Sequence, residues 1–286
     1  MLYAFPRHPK MLAKKNRVSD ILLAHGVDET KWAGIGLEIA SRRYTPTLQI
    51  LRLLLRPSWR PQLELVGTHW LDSAQRNNKG VVIWVPRFSS YELLPKIALC
   101  ESGYRAHQLS QPQHGFGSSG FTTTHFNSTW AEIENRFLES RITMEEDRTR
   151  AVRKISALLR DNQIVLITDV ANSSSSRRRP FLQGTIAFPL GAPRLAVAHG
   201  ATLLTMCITH KSTQHYKIEI SAPVYNPEIH EANIDKILDR YSQTLGTTIL
   251  KHPLDWIDWG AAKYEPPQLL ASHRQPLAAD NVSEYP

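Results

Sequence analysis

Residues 80–94 join a buried-strand pattern to a group of polar side chains that could do chemistry. The apolar, β-branched run at 81–85 ends at Pro86, and a helical pattern begins a few residues later. The loop between them, residues 87–92, reads Arg-Phe-Ser-Ser-Tyr-Glu. A strand that leads through a short loop into a helix is the usual place for the active site of an α/β protein. The sequence therefore predicts a site in this loop.

Arg87 and Glu92 are the charged residues of the loop. An arginine cannot act as a general base, because its guanidinium stays protonated at any relevant pH. Two roles are therefore open for Arg87: a salt bridge with Glu92 that preserves the loop geometry, or a binding site for a phosphate or carboxylate. Neither role supplies a base.

Two serines, Ser89 and Ser90, stand in the same turn. A serine nucleophile needs an adjacent base, and the turn lacks the Gly-x-Ser-x-Gly pattern of a nucleophile elbow. We therefore predict that both serines cap the following helix, with contact to a substrate as the functional alternative.

Two histidines, His114 and His125, are candidates for a base. They lie in a long polar segment, residues 107–129, and loops of this length are usually functional lids or disordered. If the segment folds over the site, either imidazole could take a proton. The ordinary alternative is a solvated loop histidine.

Asp169 and Arg141 are candidate substrate-binding residues. Asp169 directly follows a second apolar strand pattern at 163–168, so we expect it at the same edge of the sheet as the loop. A capping or loop aspartate is the alternative. Arg141 falls within a helical pattern at 130–160, where it could hold a phosphate bidentately or lie on a solvated face beside Glu145.

The loop resembles the first motif of the lysophospholipid acyltransferase superfamily, in the branch that contains the lipid A acyltransferases. That branch has a strand followed by His-Phe-Gly-Asn-Trp-Glu. Residues 87–92 keep this frame and its acid, Glu92, and Arg87 stands at the histidine position. Later blocks also resemble the family, in the family's order: Asp169 after its strand, residues 180–196 around Gly184, the strand after His199, and the closing segment 252–259.

The resemblance also implies roles for individual residues. In this family the histidine takes a proton from an acceptor hydroxyl, the acid orients the histidine, and the hydroxyl attacks an acyl thioester. Glu92, Asp169 and Gly184 would be retained as site residues. An arginine of the family's second block has Arg141 as its nearest match here and Arg136 as the next.

The function that the resemblance implies is transfer of a fatty acyl group to a hydroxyl or amine of a lipid-like acceptor. The donor would be an acyl carrier protein or CoA thioester as co-substrate, and no further cofactor is expected. The alternative is a non-catalytic relative that binds a lipid or an acyl carrier. Arginine at position 87 favours this alternative, whereas the retained Glu92 and Asp169 favour the enzyme.

The net charge and the cysteines limit which partners and which cellular location the sequence predicts. The net charge of +8 suits acidic partners such as anionic lipid headgroups, phosphorylated substrates or an acidic carrier protein. No nucleic-acid-binding pattern accompanies it, so nucleic acid is not predicted as a partner, and no metal-ligand spacing is present. Cys100 and Cys207 lie in apolar surroundings and are expected to be buried thiols in a reducing compartment. Without a signal-peptide pattern or a long apolar run, we expect a cytoplasmic location, with peripheral attachment at the inner face of the membrane as an option.

The fold class follows from strand patterns that alternate with helical ones. The candidate strands are 81–85, 163–168, 203–208 and 216–220. They predict an α/β fold with a mostly parallel central sheet flanked by helices. N-terminal helices precede the sheet, and one of them, after Pro46, is apolar on most faces, which fits a packed core helix or one that dips into a membrane. The expected organisation is a basic arm at 1–17, one α/β domain at 18–265 whose helical part is 18–62, and a loose tail at 266–286.

Overall fold

A computed structural model describes residues 18–32, 34–110, 127–144, 148–169, 175–259 and 263–264. The strands in these ranges are β1 Gln62–Val66, β2 Val81–Val85, β3 Ala106–Ser110, β4 Ser140–Thr143, β5 Ile164–Thr168, β6 Ser176–Phe181, β7 Gly184–Pro189, β8 Thr202–Ser212, β9 His215–Ile220 and β10 Lys263–Tyr264. The first helix, α1, is described from residue 18 to residue 24. The helices after it are α2 Ile35–Arg42, α3 Thr45–Leu55, α4 Thr68–Arg76, α5 Leu94–Glu101, α6 Asn127–Asn135, α7 Arg148–Arg160, α8 Gly191–His199 and α9 Ile234–Lys251.

Seven of the strands form a central sheet in the order β1-β9-β8-β2-β5-β3-β4. The strands from β8 to β4 in this order run parallel to one another, whereas β9 is antiparallel to β8 and parallel to β1. A separate antiparallel sheet contains β10, β7 and β6. Helices supply the long crossovers that parallel strands require. This architecture confirms the predicted α/β class with a mostly parallel central sheet, flanking helices and N-terminal helices.

The strand β2 occupies the middle of the sheet, and all five of its residues are buried. A continuous apolar run is the pattern expected of a parallel strand that is covered on both faces. Val81 is in register with Ile164 of β5 and with Thr202 of β8. Because the three strands start level and run in the same direction, the residues that follow β2 and β5 lie along one edge of the sheet.

Gly80 fixes the entry into β2. Its φ is +73°, and a Cβ atom at this position would lie 2.5 Å from the carbonyl oxygen of Leu159, near the end of α7. Only glycine allows this approach in this conformation without strain. The Gly80 amide also donates to the side-chain oxygen of Asn162, at 3.1 Å. The contact places the start of β2 against the end of α7.

The helix α3 has one buried and one exposed apolar face. Gln49, Ile50 and Leu53 are buried on one side, whereas Leu48 and Leu55 are exposed on the other. The prediction of a packed core helix therefore holds for one face only.

Two sequence predictions about the segment before β5 were wrong. The helix predicted over 130–160 is interrupted, because the chain forms α6, then β4, which contains Arg141, and then α7. The loop predicted to start at 107 begins instead with strand β3. The sequence did not predict this strand because its side chains are largely polar. One of them, His107, is buried, and its Nδ1 lies 2.8 Å from the Ser140 hydroxyl of the edge strand β4.

Residues 177–179, which are three consecutive arginines, belong to β6. There, Arg177 and Arg179 form ion pairs with Asp235 and Asp239 of α9. Cys100 is exposed rather than buried, whereas Cys207 is buried as expected.

Candidate active site

The loop after β2 and the aspartate after β5 share the C-terminal edge of the central sheet. The Asp169 amide donates to the carbonyl oxygen of Val85, at 3.0 Å. The charge of Arg87 is close enough to lower the pKa of Asp169, although burial outweighs this effect. A cation from the loop and a carboxyl from the neighbouring strand therefore lie within electrostatic reach of each other.

Arg87 pairs with an acid that is remote in sequence. Its Nη1 lies 3.3 Å from Oδ1 of Asp258, and its guanidinium carbon lies 5.5 Å from the centre of the Tyr91 ring. Burial opposes the charge, but Tyr91, Asp258 and Glu92 outweigh it, so the pKa of Arg87 is raised. Among the described residues, the ion pair of Arg87 is with Asp258 and not with the predicted partner, Glu92. The reason is that the segment containing Asp258 runs directly beside the loop, where the Ile257 amide donates to the Arg87 carbonyl at 3.2 Å.

Glu92 receives a hydrogen bond from its neighbour in sequence. The Tyr91 hydroxyl donates to Oε1 of Glu92 at 2.8 Å. Burial raises the pKa of Tyr91, and the charge of Glu92 raises it further. The phenol therefore stays protonated at neutral pH and acts as a donor that orients the carboxylate.

Asp169 is held by two aromatic side chains. The Trp84 indole N–H donates to Oδ1 of Asp169, and the Tyr241 hydroxyl donates to Oδ2 at 2.7 Å. Trp84 and Tyr241 are stacked, with ring centres 3.7 Å apart and planes inclined by 5°. Burial raises the pKa of Asp169 to about 7, against the opposing effect of both hydrogen bonds. A carboxyl that titrates near neutral pH can accept or release a proton under working conditions.

This raised pKa predicts a pH-dependent stability. A carboxyl whose folded pKa exceeds its unfolded value stabilises the fold at low pH, and this contribution is lost as the pH rises through about 4 to 7. A shift of about three pKa units corresponds to about 4 kcal/mol of folding free energy. Because Asp169 is only partly buried, we expect the pH-dependent change in stability to be roughly half of that. Urea denaturation at about pH 4.5 and about pH 8 should show that Asp169→Asn gains stability relative to wild type at the higher pH.

Asp161→Asn is the matched control for this measurement, since Asp161 is an exposed aspartate that precedes the same strand. Its stability relative to wild type should not change between the two pH values. A constant difference between Asp169→Asn and wild type would show that Asp169 is ionised in the fold throughout this range.

The two serines of the loop do not cap α5, contrary to the prediction. The helix begins after Leu93 without a side-chain cap. Ser90 has a φ of +64°, is fully buried, and its Oγ accepts a hydrogen bond from Nε2 of Gln49 at 3.1 Å. The Oγ of Ser89 is buried and has no hydrogen-bond partner among the described residues. The tight turn directs both hydroxyls inward, away from the unpaired backbone N–H groups at the start of α5 that a capping side chain would bind.

A His–Asp pair also lies beside the loop, and the sequence did not predict it. Nδ1 of His210 lies 2.7 Å from Oδ1 of Asp255, and the His210 amide donates to Oδ2 at 3.1 Å. Arg42 of α2 also pairs with this carboxylate. The Asp255 carbonyl accepts the Ser89 amide at 2.7 Å. The sequence did contain a signal for His210, which follows the predicted strand 203–208 by two residues. A polar residue after an apolar strand pattern is the same signal that identified Asp169.

Arg141 belongs to a buried charge cluster rather than to a solvated helix face. Nη2 of Arg141 lies 2.5 Å from Oε2 of Glu134, and Nζ of Lys96 lies 2.7 Å from the same oxygen. Nε of Arg141 donates to Asn135 at 2.8 Å, and Nη1 donates to Ser110. These bonds use three of the five guanidinium N–H groups, and the side chain is only 9% exposed, so little of Arg141 is open to the predicted substrate phosphate. Glu145, the partner that the helix prediction named, lies outside the described residues.

The remaining predicted residues lie elsewhere. Gly184 begins β7 and pairs with Phe181 of β6, in the smaller sheet. His114 and His125 lie outside the described residues, and Arg136 follows the end of α6. The structure therefore brings Arg87, Ser89, Ser90, Glu92 and Asp169 together at one edge, and it places Arg141 and Gly184 in neighbouring but separate surroundings.

The arrangement defines an α/β protein whose candidate site lies at the C-terminal edge of a parallel sheet, with a cation and a carboxylate after β2 and a second carboxyl after β5. Residues 56–259 match the family described as bacterial lipid A biosynthesis acyltransferase. The match covers more than two thirds of the chain, so this protein belongs to that family, and the resemblance to acyltransferases is confirmed. No curated protein matches the chain. Within the described ranges, no helix is both long and apolar enough to cross a bilayer.

Proposed function

We propose that the protein transfers a fatty acyl group from an acyl thioester, carried by an acyl carrier protein or CoA, to a hydroxyl or amine of an amphipathic acceptor. The acceptor oxygen or nitrogen attacks the thioester carbonyl, the C–S bond breaks, and the thiol leaves with the proton that the acceptor loses. The observation that carries the proposal is Glu92, a carboxylate positioned at the sheet edge by the Tyr91 hydroxyl, in a chain that belongs to an acyltransferase family.

The roles that we propose for the loop follow from its charges. Arg87 stays charged next to Asp258, so it serves as the cation that faces the developing oxyanion or a substrate phosphate. Glu92 is the acid retained from the motif. The base is Glu92 itself or one of the two predicted loop histidines, His114 and His125.

Further residues are proposed to contact the substrate: Ser89, Ser90 and Asp169 at the edge of the sheet, together with Arg141 and Gly184 beside it. No cofactor other than the thioester co-substrate takes part in the proposed reaction. The partners are the acyl donor and a lipid-like acceptor, not nucleic acid. We place the reaction in the cytoplasm, with peripheral contact at the inner face of the membrane.

One specific observation favours a second function, a non-catalytic relative that binds a lipid or an acyl carrier. The resemblance to the family's motif puts Arg87 where the family has its base, and Arg87 is held in an ion pair with Asp258. Such a protein would bind the lipid or the acyl carrier without catalysing acyl transfer.

Arg87→His separates the two functions. If Arg87 stabilises the transition state, the substitution should lower turnover about 10²- to 10³-fold. Arg87→Lys should recover part of this loss, because the charge returns without the bidentate fork. The measurement is steady-state turnover of each purified variant. If wild type shows no turnover and the Arg87→His variant does, the natural protein is instead a non-catalytic relative.

The proposal itself is tested by incubating the purified wild type with acyl-CoA or acyl carrier protein donors and mixed lysolipid acceptors. Acylated acceptor, detected by mass spectrometry, together with released thiol, is the expected result. Thioester binding without any product would overturn the enzyme and support the binding function.

A further inference from the structure

The exposed face of α3 carries a stripe of large apolar side chains. Tyr44, Leu48, Leu51 and Leu55 follow the spacing i, i+4, i+7 and i+11, so they project from one side of the helix. Their exposed fractions are 69%, 54%, 40% and 80%. A soluble monomer rarely leaves a contiguous apolar stripe in water, so this face has the character of a contact surface.

A cleft at the end of the stripe adds positive charge. It has a volume of about 410 Å³ and is lined by Arg52, Leu55, Arg56, Trp59 and Gln214. The guanidinium carbon of Arg52 lies 5.7 Å from the centre of the Trp59 ring, and the indole N–H donates to the Gln214 side chain at 3.2 Å. In the part of the chain that the structure describes, neither Arg52 nor Arg56 forms an ion pair. Two cations, an indole and a leucine therefore line one opening.

We propose that the stripe and the cleft together form a docking surface for an anionic phospholipid bilayer. The leucines enter the boundary of the acyl region, as the apolar face of an interfacial helix does. Trp59 lies at the level of the headgroups, where indole rings are favoured. Arg52 and Arg56 bind a lipid phosphate, since each cation near an anionic membrane adds about 1 kcal/mol to the attraction.

The bilayer fits this surface better than an acidic protein does. Acidic side chains could satisfy Arg52 and Arg56, but a partner would need its own apolar groove to cover the stripe, which runs the whole length of α3. A bilayer covers such a stripe without a matching shape. Leu37 of the neighbouring helix α2 is also an exposed large apolar side chain.

The docking surface lies close to the candidate active site. Gln49, on the opposite face of α3, donates to the Oγ of Ser90 in the loop. A helix is about 10 Å thick, so the loop lies about one helix diameter from the membrane surface. An amphipathic acceptor could therefore reach the loop without leaving the bilayer entirely. The inference deepens the membrane contact in the proposed function by naming its residues.

The test is vesicle flotation of the purified full chain, without any acyl donor. Wild type should bind vesicles that contain about 30% phosphatidylglycerol in phosphatidylcholine, and salt should weaken the binding. Leu51→Asn/Leu55→Asn should lower the partition coefficient about 100-fold, roughly tenfold for each leucine. Arg52→Gln/Arg56→Gln should lower it about tenfold or more on anionic vesicles and little on neutral ones.

Two exposed positions outside the surface serve as matched controls. Ile229→Asn removes an exposed apolar side chain, and Arg160→Gln removes an exposed cation at the end of α7. Both should bind vesicles like wild type, and thermal melts followed by circular dichroism should show that every variant is folded.

Three results would overturn the docking surface. They are wild type that stays free of anionic vesicles, stripe variants that bind as tightly as wild type, or arginine variants that lose binding to acyl carrier protein while vesicle binding is unchanged. The last result would assign the cleft to an acidic protein. Because the assay contains no acyl donor, a failure to bind vesicles would not contradict the proposed reaction. Conversely, a protein that binds vesicles but shows no acyl transfer would not contradict the docking surface.

Discussion

Glu92→Gln is expected to lower the rate of acyl transfer by about 10²–10⁴-fold. Glutamine keeps the shape of the side chain and can still accept the bond that the Tyr91 hydroxyl donates at 2.8 Å. It removes the negative charge, and a neutral amide can neither accept a proton nor balance a charge that forms on a neighbouring base. The loss should therefore fall on kcat, without a change in thermal stability. Steady-state kinetics and a melting curve on the same preparation measure both quantities.

Glu101→Gln is the matched control, because Glu101 ends the helix that Glu92 precedes and, within the described ranges, forms only an exposed ion pair with Arg60. Its kcat should stay within about twofold of wild type, as expected for a surface pair. A Glu92→Gln variant with the kcat and KM of wild type would remove this carboxylate from the mechanism. His114→Ala and His125→Ala would then be the variants to compare.

Glu134→Gln is expected to lower the free energy of unfolding by about 3–5 kcal/mol. The carboxylate of Glu134 is fully buried. It forms ion pairs with Lys96 and Arg141, and it accepts a hydrogen bond from the Trp130 indole N–H at 3.0 Å. Without its charge, two buried cations face each other and lack a counter-ion. Burial lowers the pKa of Lys96, and the charge of Glu134 opposes this shift. The pKa of Lys96 should therefore be lower in the variant than in wild type. Urea denaturation gives the free energy, and the melting temperature should fall by roughly 10 °C.

Glu139→Gln provides the comparison, since Glu139 forms a surface ion pair with Arg105 at 3.6 Å and should contribute less than about 1 kcal/mol. The double variant Lys96→Met/Glu134→Gln should recover part of the stability, because it removes one of the two uncompensated cations. Wild-type stability in Glu134→Gln would contradict a charged cluster at this position.

The central strands could be predicted from the sequence because their residue types decide their structure locally. The apolar runs at 81–85, 163–168 and 203–208 became β2, β5 and β8, since only a covered parallel strand accommodates such runs without exposing them. The strand β3 could not be predicted in this way. Its polar residues, such as Gln108 and Ser110, are tolerated inside the sheet because Thr168 and Arg141 supply their partners.

That the loop and Asp169 share one edge of the sheet was predictable for the same local reason, whereas their ion-pair and hydrogen-bond partners were not. A polar loop after an apolar strand marked residues 87–92, and the aspartate after β5 was marked in the same way. Asp258 and Asp255 meet the loop only because α9 returns the chain to the sheet edge. Pairings across more than 150 residues leave no periodic signal in the sequence, so the ion pair was assigned to the nearer acid, Glu92.

The closing segment beside the loop has a consequence for biosynthesis. Ser89 bonds Asp255, Phe88 forms a bridge with Trp256, and the Ile257 amide bonds the Arg87 carbonyl. Because a chain leaves the ribosome from its N-terminal end, the loop emerges long before these partners do. A nascent chain that stops ahead of residue 255 lacks every one of these contacts. The order of synthesis therefore delays assembly of the candidate site until the chain has been translated past residue 257.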